Sequence, residues 1–125
     1  MPDYHAGCHC DAVRITVRRP QPIDSLIDCN CSICVKKGIL HLAVEEADLR
    51  IDHGEENLAL YQWQSNTASH WFCKICGIHV LTRPRSHPER YSVNARCLDD
   101  FEEILPSLTL IPFDGKNHPK DRSPA

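Results

Sequence analysis

Apolar and polar residues alternate over short stretches of this chain. Residues 12–18, Ala-Val-Arg-Ile-Thr-Val-Arg, alternate strictly: Val13, Ile15 and Val17 face one way, Arg14, Thr16 and Arg18 the other. That is the pattern of a half-buried strand. Arg19-Pro20-Gln21-Pro22 breaks it. Residues 23–28 form a short extended candidate, and 31–37 one helical turn ending near Gly38. Residues 39–44, Ile-Leu-His-Leu-Ala-Val, read as a strand. Residues 49–52 and 58–63 are two more, joined through His53-Gly54-Glu55-Glu56. Residues 69–72 lead into Cys73; 78–82 and 91–95 flank a loop holding Pro84 and Pro88; 108–111 is a last strand.

Many short strands with closely spaced turn signals predict a mainly β, antiparallel fold. No amphipathic helix longer than about two turns is expected, and there is no internal repeat or heptad pattern. At 125 residues the chain suits one domain, taken as residues 1–115. Residues 116–125 are polar and proline-containing, and are expected to fray.

Charge removes several function classes. The formal net charge is −3, against the basic face that an electrostatic nucleic-acid binder shows, so no nucleic-acid partner is expected. Arg83, Arg85 and Arg90 are local features of a solvated face. No apolar run approaches the roughly 18–20 residues of a membrane helix. The opening Met-Pro-Asp-Tyr-His lacks a signal-peptide layout, which makes the cytoplasm the expected compartment. In that reducing setting, eight cysteines need a role other than disulfides.

Seven of the eight fall into tight groups: Cys8 with Cys10; Cys29, Cys31 and Cys34; and Cys73 with Cys76. An even count favours disulfides, but a bridge within Cys-x-Cys would be strained. Two thiolates a few residues apart suit one tetrahedral ion instead, with further ligands from elsewhere in the chain. Zinc is the expected metal, being fond of thiolates and free of redox chemistry, with iron–sulfur ligation as the rival. A closed zinc takes four protein ligands and an open one takes three. Two pairs and a triplet divide naturally into four plus three, hence two zincs per chain. A single four-ligand site with spare cysteines satisfies the spacing too. Cys97 stands alone: it could close the triplet, act beside a ligand, or be plain core.

Four stretches together resemble one known family. They are Gly7-Cys8-His9-Cys10, Cys29-Asn30-Cys31-Ser32-Ile33-Cys34, Phe72-Cys73-Lys74-Ile75-Cys76-Gly77 and Val93-Asn94-Ala95-Arg96-Cys97-Leu98-Asp99. In this order and at these intervals they resemble the glutathione-dependent formaldehyde-activating enzyme family, whose domain also occurs in centromere protein V. The resemblance implies a β-tent fold and a structural zinc on Cys8, Cys10, Cys73 and Cys76. It also implies a second, catalytic-type zinc on Cys29, Cys31 and Cys34, with room for a substrate thiol. The implied activity is that of a carbon–sulfur lyase joining formaldehyde to glutathione as S-hydroxymethylglutathione, or acting on a related thiol adduct. The alternative is a non-catalytic, zinc-stabilised binding module.

An open metal position would make an entering thiol the competent nucleophile at neutral pH. His41, His70 and His79 are candidates to relay a proton or to donate to a thiolate, although a strand histidine is more often a satisfied core residue. Lys36, Lys37 and Arg96 are candidates to hold the carboxylates of glutathione; solvated surface is their plainer reading. His9, Asn30 and Ser32, lying between ligands, either support them or simply tolerate tight turns.

Overall fold

The computed structural model describes residues 3–62, 68–84 and 89–114. Trp63, Arg85, Pro88 and the expected tail at 116–125 lie outside the described residues. The chain is mainly β, as its alternation predicts, and its strands form two sheets. The smaller sheet has three strands in the order β1 (Asp3–Gly7), β2 (Arg14–Arg18), β5 (Leu49–His53), all antiparallel.

The larger sheet has seven strands. These are β3 (Ser25–Cys29), β4 (His41–Glu45), β6 (Leu58–Tyr61), β7 (Ser69–Cys73), β8 (His79–Arg83), β9 (Arg90–Asn94) and β10 (Thr109–Phe113). Their spatial order is β10-β3-β4-β9-β8-β7-β6. The expectation of an antiparallel fold needs one correction: β10 runs parallel to β3, Thr109 opposite Ser25 through Phe113 opposite Cys29. A parallel return needs a long crossover, and the whole of the intervening chain supplies it. On this edge strand every residue is exposed, and Pro112 is tolerated because an edge position leaves its missing N–H unneeded.

The core lies between the sheets. Ala6, Val13, Ile15 and Val17 meet Leu26, Leu42, Val44, Val80, Leu81 and Val93, with Leu98 and Phe101 closing one end. Strand β1 was not among the expected elements. Its Tyr4 and Ala6 turn inward while Asp3 and His5 face out, but Asp, Ala and Gly favour strands too weakly to mark one. Thr16 faces away from the core, as alternation requires, and is nonetheless buried. His5 and Arg50, its register partners on β1 and β5, close over it, and its hydroxyl donates to Asp52 at 2.6 Å.

Two short helices complete the frame. Helix α1 (Ser32–Lys37) ends at Gly38, whose φ of 67° lets its N–H return to the Cys34 carbonyl at 2.9 Å. A 3-10 turn (Ala95–Cys97) follows β9, and the single-turn α2 (Phe101–Ile104) buries Phe101 against the core. Among the described residues no helix is long and apolar enough to cross a membrane.

Candidate metal centres

Seven of the eight cysteines gather at two points, and all eight thiols are free. At the first point the sulfurs of Cys8, Cys10, Cys73 and Cys76 all lie within 4.8 Å of one another. Cys8 and Cys10 sit in the loop between β1 and β2, where the Cys8 N–H donates to the Val13 carbonyl at 3.2 Å. Cys73 ends β7, and Cys76 lies in the turn to β8, where Gly77 adopts φ 81°. Asn57 ties the halves together. Its side-chain amide donates to the Ala12 carbonyl at 3.3 Å and its own carbonyl accepts from Lys74 N–H at 2.8 Å. Nothing in the sequence pattern singled Asn57 out.

Backbone N–H groups point at these sulfurs. Val13 donates to Cys8 at 3.3 Å and Ile75 to Cys73 at 3.4 Å. The Ala12 N–H reaches Cys10, and those of Ile78 and Cys10 reach Cys76. Burial pushes the Cys76 thiol up, but these donors and the neighbouring sulfurs hold it at about 6. At Cys10 the Ala12 N–H pulls the thiol down, yet burial and the sulfurs of Cys8, Cys73 and Cys76 push it to about 12. Four clustered thiols cannot all ionise unaided, so the donor set fits a soft cation that would neutralise them.

At the second point, the sulfurs of Cys29, Cys31 and Cys34 likewise lie within 4.8 Å of one another, and no other described residue completes the group. Cys29 ends β3, Cys31 is the N-cap of α1, and Cys34 is buried in its first turn. The Cys31 N–H donates to Cys29 Sγ at 3.5 Å. The Cys31 thiol is drawn down to about 2, first by its Cys29 and Cys34 neighbours and then, against burial, by the backbone amides of Cys34 and Ile33. Cys34 is pushed up by Cys29 and Cys31. Three sulfurs gathered on one short strand–helix turn could hold a metal ion.

Cys97 joins neither group. Its thiol is buried in the core and donates to the His79 carbonyl at 3.4 Å; burial pushes it up to about 12, with further contributions from the charges of Cys8 and Cys76. The triplet's sulfurs gather without it.

A groove of about 590 Å³ opens on the triplet. Cys29 and Cys34 share its wall with Arg96, Asp28, Asn30 and the apolar Phe113. Arg96 donates through Nε to the Gly38 carbonyl at 2.8 Å, which fixes its stem beside the cysteines. Lys36 and Lys37 line a different groove, with Ser32, Tyr61 and Phe72. Lys37 turns inward, Nζ 3.1 Å from His79 Nδ1, and burial holds it below its usual range. Asn30 donates to Asp114 at 3.1 Å, and His9 is exposed.

The three histidines separate in the same way. His79 is buried and engaged by Lys37 and, at 2.8 Å, by Thr82. The His70 ring lies 5.9 Å from that of His79. His41 reaches a cluster sulfur: its Nε2 is 3.1 Å from Cys34 Sγ, while Nδ1 is 2.6 Å from Ser92 Oγ. Burial holds this imidazole below the usual histidine range.

The family model described as glutathione-dependent formaldehyde-activating enzyme matches residues 3–111, which takes in both cysteine groups. The chain belongs to this family. A crystal structure of a Rhodobacter sphaeroides protein, a structural-genomics target, resembles it with a TM-score of 0.76 and 37% identity, over 85% of this chain and 98% of that one. Membership in the formaldehyde-activating family associates the chain with enzymes of glutathione and formaldehyde. Both of its cysteine groups are compatible with zinc.

Proposed function

We propose that the chain is a zinc-dependent carbon–sulfur lyase-type enzyme that joins formaldehyde to glutathione, or handles a related thiol adduct. The observation that carries this reading is the triplet: three converging sulfurs, no fourth described ligand, and an open groove beside them. A purely structural zinc is ordinarily closed by four protein ligands, as the Cys8, Cys10, Cys73 and Cys76 group would close it. A zinc ion held by Cys29, Cys31 and Cys34 would supply the acidity that presents an incoming thiol as thiolate at neutral pH.

The remaining work falls to the residues of the groove. Arg96 offers its guanidinium to a carboxylate of the thiol substrate, its stem already fixed on Gly38. Phe113 and Leu110 form an apolar wall along the same groove. Lys36 and Lys37 line the neighbouring groove with Ser32, Ile33, Tyr61 and Phe72. In the reaction itself the substrate sulfur forms a bond to the formaldehyde carbon, the carbonyl π bond breaks onto oxygen, and the resulting alkoxide takes a proton. The uncatalysed addition is already easy, so positioning and thiolate supply are what the site contributes. The chemistry needs free thiols and hence a reducing compartment such as the cytoplasm.

The test is zinc content per chain on the wild type and on Cys31→Ser, with glutathione titrated in, followed by a formaldehyde consumption assay. Two zincs, one lost in Cys31→Ser, together with a glutathione response and turnover, are expected. One zinc that Cys31→Ser leaves in place, with no response to glutathione, would overturn the enzyme reading and leave a zinc-stabilised module.

A further inference from the structure

The two cysteine groups differ in how their sulfurs are supported. In the four-cysteine group each sulfur faces a backbone N–H, from Val13, Ala12, Ile75 and Ile78. In the triplet, Cys29 accepts from the Cys31 N–H, and the amides of Ile33 and Cys34 face Cys31. Cys34 is different. It lies inside α1, where the amides that follow are turned along the helix, the Gly38 N–H reaching the Cys34 carbonyl and not its sulfur. Among the described residues the polar atom that approaches Cys34 Sγ from outside the triplet belongs to a side chain, His41, whose Nε2 lies at 3.1 Å.

Both ends of that imidazole are engaged. Ser92, only 5% exposed on β9, holds Nδ1 at 2.6 Å. Strands β4 and β9 pair with His41 opposite Asn94 and Ala43 opposite Ser92, so the sheet register carries both groups. A thiolate has no hydrogen to give. With Cys34 ionised, Nε2 must carry the proton and Nδ1 must accept from the Ser92 hydroxyl. With Cys34 as thiolate, these contacts are made by one tautomer.

We propose that His41, oriented by Ser92, is a positioning residue of the three-cysteine centre: its Nε2–H donates to Cys34 Sγ, filling the role that backbone amides fill at the other sulfurs. The hydrogen bond fixes the direction of the Cys34 sulfur and draws charge from it. Three thiolates on a divalent ion leave a net −1, and a fourth from substrate would make −2. A donor on Cys34 lets the centre hold its metal firmly and still accept that added charge. This inference rests on the reading of the triplet as a metal centre.

The experiment uses the full chain loaded with cobalt(II), in wild type, His41→Phe, His41→Gln and Ser92→Ala. It reads metal affinity by chelator competition and the sulfur-to-cobalt charge-transfer band. His41→Phe is expected to weaken the triplet's metal affinity by about 10- to 100-fold and to move its band to longer wavelength, leaving the four-cysteine centre unchanged. His41→Gln, which keeps an N–H donor, is expected to restore much of both, and Ser92→Ala to shift both in the same direction by less. Nitrogen-15 NMR of the wild-type zinc protein should show His41 protonated on Nε2. That measurement decides the matter even if His41→Phe fails to fold, because an Nδ1–H tautomer would overturn the proposal. Two bound cobalt ions with affinity and band indifferent to His41→Phe would overturn it alone. A wild type that binds one cobalt, untouched by Cys31→Ser, would overturn the metal-centre reading and this inference with it.

Discussion

The α-carbon of Gly54 lies against the carbonyl of Ala12, so close that a Cβ at that position would fall 1.8 Å from the oxygen. Gly54 also holds φ at 88°. Ala12 is the residue whose N–H faces the Cys10 sulfur, so this contact seats the loop of the four-cysteine group on the turn after β5. Gly54→Ala is expected to cost about 2–4 kcal/mol, from strain plus overpacking. Gly77→Ala, with φ 81° but nothing within 4 Å, should cost only about 1–2 kcal/mol. Urea unfolding of both variants checks the ranking; equal losses would mean that the Ala12 contact is easily relieved.

Asn57 links the loop bearing Cys8 and Cys10 to the turn bearing Cys76, through Ala12 on one side and Lys74 on the other. Asn57→Ala should cost about 1–2 kcal/mol, since it leaves a part-buried carbonyl without its donor. It should also quicken release of the metal from that centre to a chelator, with the triplet's release rate unchanged. An equal effect on both centres would point to general loosening of the fold.

Cys97 sits in the core beside the His79 carbonyl, outside both groups. Cys97→Ala is expected to leave metal content per chain unchanged and to cost about 1 kcal/mol for the lost contacts. Cys73→Ala, which removes a fully buried thiol of the four-cysteine group, should lose the metal that group would hold and most of the folded state. Elemental analysis separates the two; loss of a metal in Cys97→Ala would show that this thiol is a ligand after all.

His79 is held neutral, its pKa drawn to about 2 by burial first and then by the charge of Lys37. In the unfolded chain it titrates near its ordinary value of about 6.5. Between these values the unfolded chain binds a proton that the folded chain does not, so stability rises with pH through the window and is fully present above it. Below about pH 6.5 each unit of acidification costs up to about 1.4 kcal/mol. Proton competition for the cysteines acts in the same direction, so His79→Gln serves as the reference. From pH 7 to pH 5 the wild type should lose about 1–2 kcal/mol more than the variant in denaturant titrations. Parallel losses would mean that His79 is free to protonate in the folded chain.

Much of this protein is legible along the chain. Strict alternation at 12–18 placed β2, and the glycine after 31–37 placed the end of α1, because both signals are local: side-chain period in one, a left-handed cap in the other. The cysteine spacing separated ligand-like cysteines from disulfides, since bite distance is set within a few residues. What spacing left open was which groups meet. Cys10 and Cys73 are 63 residues apart and their sulfurs stand 3.7 Å from each other, a pairing that only the packing of the two sheets creates. The same holds for the surroundings of each group. Lys36 and Arg96 are both candidate substrate cations; α1 sets one on the groove with Tyr61 and Phe72, and the turn after β9 sets the other beside Cys29 and Cys34. His41 and Ser92 meet through the register of β4 and β9, and His79 is drawn off to Lys37 and Thr82. Sequence by itself determined which residues have the chemistry of ligands and where short strands begin. Tertiary structure decided which ligands share a centre and which donors attend them, because distances across sheets depend on long-range pairing that no local pattern encodes.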